Sequence, residues 1–420
     1  MNLRILSPLQ GGVVDAIASK SHVHRLLICA ALSDRPAEIE CSALSDDIEA
    51  TVDCLRALGA EIGYNRGVFS VAPVKEIARG KVLRCRESGS TLRFLLPVAA
   101  ALGADCRFLL DGRLSERPLQ PLIAALEQHG CSVFRPESRC ISISGQLRSG
   151  EFFLPGNLSS QFISGLLLAF SCMKEGGSIC LQDRLESAPY VRLTVETLKA
   201  FGVDVHVSES RFAVSFGSVL HSPGRIAAEG DWSNAAFWLC AGAISRHPVL
   251  CRGLSADSVQ GDRQVLAILA QMGARAAWTK EGALVEKDRL HAVDIDAADI
   301  PDLIPALAAV CALAEGRSRI YHAGRLRLKE SDRLHTICSA LGAVGAEIRE
   351  EPEGLTIRGV SQLAGGTVCA AGDHRIAMMA AVVAAGCAEP VTVLQAQAAQ
   401  KSYPDFWKHY QLLGGKTEVL

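Results

Sequence analysis

The chain has 420 residues, of which 49% are apolar and 21% charged, with a formal net charge of −2. That length suits two or three domains with large cores, and the charge balance excludes a general attraction to nucleic acid or an anionic membrane. The 15 scattered cysteines form no zinc-type pair and no disulfide framework, so they read as reduced core thiols.

Taken in chain order, a unit recurs. A helical stretch is closed by glycine and followed by a β-prone segment, with the glycines Gly59, Gly130, Gly202, Gly273, Gly345 and Gly414 about 70 residues apart. Apolar residues at helical spacing give each stretch one buried stripe, and the glycine suits a terminus that needs φ > 0. Asp46 with Glu49 reads as a capping box, and Pro118 and Pro121 mark the start of the second such helix.

Each unit also predicts a helix that is apolar nearly all round, near residues 24–32, 92–102, 162–170, 235–244, 303–313 and 376–385. Helices of that kind lie inside a protein, and Pro97 is expected to kink the second. The sum is an α/β fold of βαβαββ units, three of which can close around a shared core of buried helices. No apolar run reaches membrane-spanning length. The N-terminal segment lacks a signal-peptide core, so the expected location is the cytoplasm.

The polar residues gather where these buried helices begin. In order they are Ser19-Lys20-Ser21 with Arg25, Glu87-Ser88-Gly89 with Arg93, and Ser159-Ser160-Gln161; then Asp231 to Asn234, Pro301-Asp302, and Asp373-His374-Arg375. Small polar residues can cap the free N–H groups there. Lys20, Arg25 and Arg375 do not fit capping, because cations oppose a positive helix end unless an anion sits between. The run Arg325 to Arg333, read alone, is a solvated stretch with paired charges, and Lys401 alone reads as surface. Gly414-Gly415-Lys416-Thr417 lacks the rest of a phosphate-binding loop, and His374 has no partner at metal spacing.

Together, Lys20-Ser21 with Arg25, Ser88 to Arg93, Arg117-Pro118, Ser159-Ser160-Gln161, Ser187 to Tyr190, Pro301-Asp302, Lys329-Glu330-Ser331-Asp332-Arg333, Asp373-His374-Arg375 and Lys401 resemble the EPSP synthases, over essentially the whole chain. The resemblance implies two similar domains of three units each, an inside-out α/β barrel-like arrangement. Residues 17–227 form one, and 1–16 with 228–420 the other, with the substrates in a cleft between them that closes on binding. It implies transfer of the enolpyruvyl group of phosphoenolpyruvate to the 5-hydroxyl of shikimate 3-phosphate, with no cofactor and no metal. It implies a monomer, with glyphosate as a possible inhibitor.

Carried over by position, the resemblance assigns shikimate 3-phosphate to Lys20, Ser21, Arg25, Ser159, Ser160, Gln161, Ser187, Tyr190, Asp302 and Lys329. It assigns phosphoenolpyruvate to Lys20, Gly89, Arg117, Gln161, Arg333, Arg375 and Lys401. Asp302 is the expected base toward the 5-hydroxyl, Glu330 the proton donor to C3 and Lys20 a second acid/base group. Two positions depart from the family pattern. Glu87 stands where Asn is frequent and calls for a cation such as Arg86 or Arg93, and Arg325 stands where a substrate-binding Asn is common. The rival readings are a UDP-N-acetylglucosamine enolpyruvyl transferase and a non-catalytic anion-binding protein on the same fold.

Overall fold

The structure, a computed structural model, describes all residues, 1–420. Its helices sort by their apolar pattern. Those with one apolar stripe are Asp46–Leu58, Gln120–Gln128, Ala188–Ala200, Val265–Gln271, Arg333–Gly342 and Phe406–Leu412. The six repeat glycines lie at or just past their ends, with φ between +81° at Gly202 and +115° at Gly59. A side chain is disfavoured in that left-handed region, which is why each unit spends a glycine there.

The helices without a polar face are Lys20–Ala31, Gly89–Leu102, Ser160–Phe170, Trp232–Ile244, Ile304–Cys311 and His374–Val383. Every residue of Trp232–Ile244 is buried. The apolar cores form around these helices, because each must hide its whole circumference from water.

The strands make six four-stranded sheets, each a parallel pair extended by two antiparallel neighbours. In one, Glu151–Leu154 runs parallel to Gly177–Leu181, which pairs antiparallel with Arg211–Val214, itself paired with Val205–Val207. The parallel pair is forced by the buried helix between its strands, since a parallel connection needs a crossover. The architecture is therefore mixed α/β in βαβαββ-like units.

Strand pairing over long sequence separation closes each unit of three sheets. Arg225–Ala227 pairs in parallel with Ala37–Glu40, so a late strand completes an early sheet. Gly12–Asp15 pairs with Val249–Arg252, and Leu3–Ser7 lies between Val391–Leu394 and Lys416–Val419. The chain thus divides into one compact unit of residues 18–228 and another of residues 1–17 with 229–420. No helix is long and apolar enough to cross a membrane.

One local expectation changes. The cap of Asp46–Leu58 is Ser45, with no side-chain cap bond, and Asp46 is already helical, so no Asp46–Glu49 box forms. Its first turn instead gathers Asp46, Asp47 and Glu49, which favour a positive helix end through charge. Helix Gly89–Leu102 continues through Pro97. A proline there has no N–H to offer the Arg93 carbonyl, and Gly165 of the neighbouring helix packs directly over that carbonyl. A Cβ on Gly165 would overlap the Arg93 oxygen.

Gly165→Ala therefore has no room. Its expected effect is a loss of about 2 kcal/mol or more in denaturant unfolding, with the proline helix pushed off its neighbour. Unchanged stability would show that the two helices separate at little cost.

Candidate active site

In the unit of residues 18–228, functional groups collect where the buried helices start. Lys20 is the first residue of its helix, and its Nζ lies 2.7 Å from Asp47 Oδ2. A cation at that helix end is locally unfavourable, and the pairing with Asp47 offsets it. One turn on, Arg25 is fully buried. Its Nε donates to Thr194 Oγ1 at 2.7 Å, its Nη1 to the Ser21 carbonyl at 2.6 Å, and its Nη2 to Ser164 Oγ at 3.3 Å and the Tyr190 carbonyl at 2.9 Å. These acceptors are all neutral. A buried guanidinium held by neutral groups keeps its charge available to an anion.

The start of helix Gly89–Leu102 carries a second cluster. A Cβ on Gly89 would meet Arg117 Nη1 and Arg93 Nη1, each at 2.7 Å, so two guanidinium groups close on a bare backbone. Arg93 Nη1 donates to Gln161 Oε1 at 3.0 Å, and Gln161 Nε2 donates to Ser90 Oγ at 2.9 Å. Gly89, Arg117 and Gln161 thus share one place, with Arg93 and Ser90 joining them. Free N–H groups, glycine and forked cations together suit a phosphate or carboxylate.

The third helix start brings in the serines. Ser159 caps Ser160–Phe170, and Ser187 caps Ala188–Ala200 with a left-handed φ of 55°. The two loops are stitched where the Glu186 N–H donates to the Gly156 carbonyl at 3.0 Å. A left-handed serine costs of order 1 kcal/mol or more, and such strain concentrates at functional positions.

The unit of residues 1–17 and 229–420 contains a buried ionic network. Arg333, 1% exposed, reaches Asp302 at 2.9 Å, Glu330 at 2.7 Å and Asp373 at 2.8 Å. Arg375 Nη2 lies 2.9 Å from Asp302 Oδ2, and Lys329 Nζ 3.9 Å from Asp302 Oδ1. Asp373 also accepts from Ser331 Oγ at 3.0 Å and from the Arg375 N–H at 2.9 Å, which caps its helix. The sequence reading placed Asp302, Lys329, Glu330, Arg333 and Arg375 in one site, and they lie together. Lys401 is buried at the end of a 3₁₀ turn, Ala396–Lys401, beside Ser402, which donates to Asn234 Oδ1 at 3.4 Å.

Charge states follow from these distances. Burial alone would raise Asp302, but Arg375, Lys329 and Arg333 outweigh it and hold the carboxylate well below its ordinary range. Burial pulls Lys329 down to about 8 against the pull of Asp302. Burial opposes charge on Arg333 too, yet Asp373, Glu330 and Asp302 more than restore it. Asp262 is pushed up to about 7, by burial first and then by Asp302, with Arg375 opposing. There is no group of three or more His, Cys, Asp or Glu residues placed to hold a metal ion.

Several expectations need correction. The run Arg325 to Arg333 is not simply a solvated stretch, since Ser331 and Arg333 are buried. Its charges divide, with Arg327 pairing outward to Asp332 and Glu350, and Glu330 and Arg333 turned into the network. Lys401 is 7% exposed, not a surface residue. Of the two cations expected near Glu87, Arg86 pairs instead with Glu49 and Asp53. Glu87 lies against Gly112, where a Cβ would overlap its carboxylate. Arg325 donates from Nη2 to the Ala298 carbonyl at 2.9 Å.

Other participants escaped the sequence reading. Asp47 was hidden among the acidic residues of a helix start. Thr194 and Ser164, which hold Arg25, carry no local signal. Asp262, bonded by Ser233 Oγ, sits at a 3₁₀ turn, Gly261–Gln264, that no motif marks.

Comparison with known proteins gives the chain a family context. The sequence model of EPSP synthase (3-phosphoshikimate 1-carboxyvinyltransferase) matches residues 3–410. A 3-phosphoshikimate 1-carboxyvinyltransferase from Clostridium perfringens is 38% identical over 408 residues, 96% of either chain. One from Clostridium kluyveri is 39% identical over 410 residues, covering 97% of this chain and 96% of its own. Among solved structures, EPSP synthase from Acinetobacter baumannii has a TM-score of 0.82 at 24% identity over the full length of both chains. The enolpyruvyl transferase NikO from Streptomyces tendae has a TM-score of 0.80 at 19% identity, over 99% of this chain and 98% of its own. At those identities the structures speak for the fold, which they share with this chain.

Two measurements test the network. Asp373→Asn leaves Arg333 under-compensated in a buried place, and a loss of about 3 kcal/mol in denaturant unfolding is expected. Lys329 binds its proton less tightly folded than unfolded, so its charge costs stability below about 8 and the cost fades as pH rises toward 10.5. The stability of the native chain relative to Lys329→Met should therefore improve over that window, by up to about 3 kcal/mol. A flat difference would place Lys329 in water.

Proposed function

The chain belongs to the EPSP synthase family, and from that premise we propose that its helix-start cations and the Asp302 network act together on phosphoenolpyruvate and shikimate 3-phosphate. The reaction is that of a 3-phosphoshikimate 1-carboxyvinyltransferase, an addition followed by an elimination. C3 of phosphoenolpyruvate takes a proton as the 5-hydroxyl of shikimate 3-phosphate attacks C2. The tetrahedral adduct then expels phosphate and loses a proton from its methyl group.

The observation that carries the reading is the meeting of Asp302, Glu330, Lys329, Arg333 and Arg375 in one buried network. Two reacting anions need several cations, and the chemistry also needs carboxyl groups to move protons. Arg333 and Arg375 are assigned to phosphoenolpyruvate with Arg117, Gln161, Gly89, Lys20 and Lys401. Lys329 and Asp302 are assigned to shikimate 3-phosphate with Lys20, Ser21, Arg25, Ser159, Ser160, Gln161, Ser187 and Tyr190. Forked guanidinium contacts fix a planar carboxylate or a phosphate in one orientation, which a point charge cannot do.

In this assignment Asp302 takes the 5-hydroxyl proton. Its carboxylate is ionised, as a base must be, but three cations make it weakly basic. Substrate anions arriving on Arg375, Arg333 and Lys329 share those cations and so raise the basicity of Asp302. The base is then strongest when both reactants are present. Glu330, bonded to Arg333, is the assigned proton donor to C3, with Lys20 as the second acid/base group beside the departing phosphate.

Phosphate release that requires both phosphoenolpyruvate and shikimate 3-phosphate is the expected result. Release with UDP-N-acetylglucosamine as acceptor would favour the other enolpyruvyl transferase, and no release with either would leave a binding protein. Asp302→Ala should lose on the order of 10²–10⁴ in kcat. Normal turnover in that variant removes Asp302 from the mechanism.

A further inference from the structure

A chain of hydroxyl groups runs through the core of the 18–228 unit beneath the Gly89 cluster. His24 Nδ1 lies 2.7 Å from Thr51 Oγ1, and Thr51 Oγ1 lies 2.7 Å from Thr91 Oγ1. Thr91 Oγ1 donates to Ser88 Oγ at 2.7 Å, and the Thr91 N–H donates to the same oxygen at 3.3 Å. All four residues are buried. They join three helices, with His24 on Lys20–Ala31, Thr51 on Asp46–Leu58, and Thr91 on Gly89–Leu102.

Counting protons fixes the direction of the chain. A threonine hydroxyl has one proton, and that of Thr91 goes to Ser88. Thr51 must then donate to Thr91, and His24 must donate from Nδ1 to Thr51. The remaining ring nitrogen, His24 Nε2, is a bare lone pair, and it has no partner. An unmet acceptor is better tolerated in a core than an unmet N–H, so the pattern is self-consistent. Burial holds His24 neutral, pulling it down to about 3, and the direction is stable across the working pH range.

One end of the chain meets the candidate site. Ser88 caps the helix whose first residue is Gly89, where Arg93 and Arg117 close in. Thr51, which donates to Thr91, stands one turn beyond Asp47, the partner of Lys20, on helix Asp46–Leu58. We propose that Thr91, backed by Thr51 and His24, is a positioning residue for phosphoenolpyruvate, locking the start of the Gly89 helix through the Thr51 hydroxyl to the helix that carries Asp47. It touches no substrate. It fixes the distance between Lys20 and the anion cradle at Gly89, two groups that the functional reading above, on which this inference rests, assigns to the same ligand.

The test is steady-state kinetics of the full chain with both substrates, alongside thermal unfolding. Thr91→Val keeps the shape and removes the hydroxyl; the expected result is a rise of about fivefold or more in KM for phosphoenolpyruvate, with kcat within about twofold. Thr51→Val should act in the same direction, and Thr91→Ser should restore the native KM. A folded Thr91→Val protein with a native KM overturns the proposal. So does a Thr91→Ser protein as impaired as Thr91→Val, which would assign the effect to methyl packing. Should Thr91→Val fail to fold, Thr51→Val decides alone. If the native chain shows no phosphate release dependent on phosphoenolpyruvate, the functional reading itself falls. If it does and the valine variants behave normally, only the positioning role falls.

Discussion

A helix with no polar face can only lie inside, and its first N–H groups then reach the end of the core without partners. That constraint governs both units of this chain. Each of the six buried helices must begin at something polar, so polar residues concentrate at six starts. Where a cation stands at such a start, the helix end repels it, and a nearby anion or carboxylate has to compensate. Lys20 finds Asp47, and Arg375 finds Asp302. The fold thus gathers paired charges at helix starts as a consequence of burying its own helices.

The two units resolve this electrostatic problem differently. In residues 18–228 the buried Arg25 is held by neutral groups. Its acceptors are hydroxyls and carbonyls, and Arg93 also donates to the Gln161 amide and the Pro118 carbonyl. The other unit balances Arg333 and Arg375 with the carboxylates of Asp302, Glu330 and Asp373. Neutral acceptors leave positive potential for a ligand, whereas carboxylates lower it but supply groups that can exchange protons.

Rigidity at these starts comes from groups with no direct part in the chemistry. Asp373 holds Arg333 and caps the helix that carries Arg375. Gly165 brings its helix against the Arg93 carbonyl, next to the turn that bears Arg93. The left-handed Ser187 is held by the helix it opens and the loop stitched beside it. Side chains placed to a few tenths of an ångström need such support, because small displacements of charge in a dry site change energies steeply.

The amino-acid sequence alone determined the repeat, the two helix types and the gathering of polar groups at helix starts. These follow from periodicity, from glycine at positions of positive φ and from the burial of helices without a polar face, all of which are local. Motif order along the chain was enough to suggest the family. Tertiary structure decided which charges pair. Asp47 beside Lys20, Thr194 and Ser164 around Arg25, and Asp262 near Asp302 come from different repeats or different helices, and no spacing rule links them. The run from Arg325 to Arg333 shows the limit most directly. Its composition suits a solvated surface, and only the packing of its turn against the helix starts sends Arg333 into the core while Arg327 stays at the rim, because burial of a charge depends on partners supplied from elsewhere in the fold.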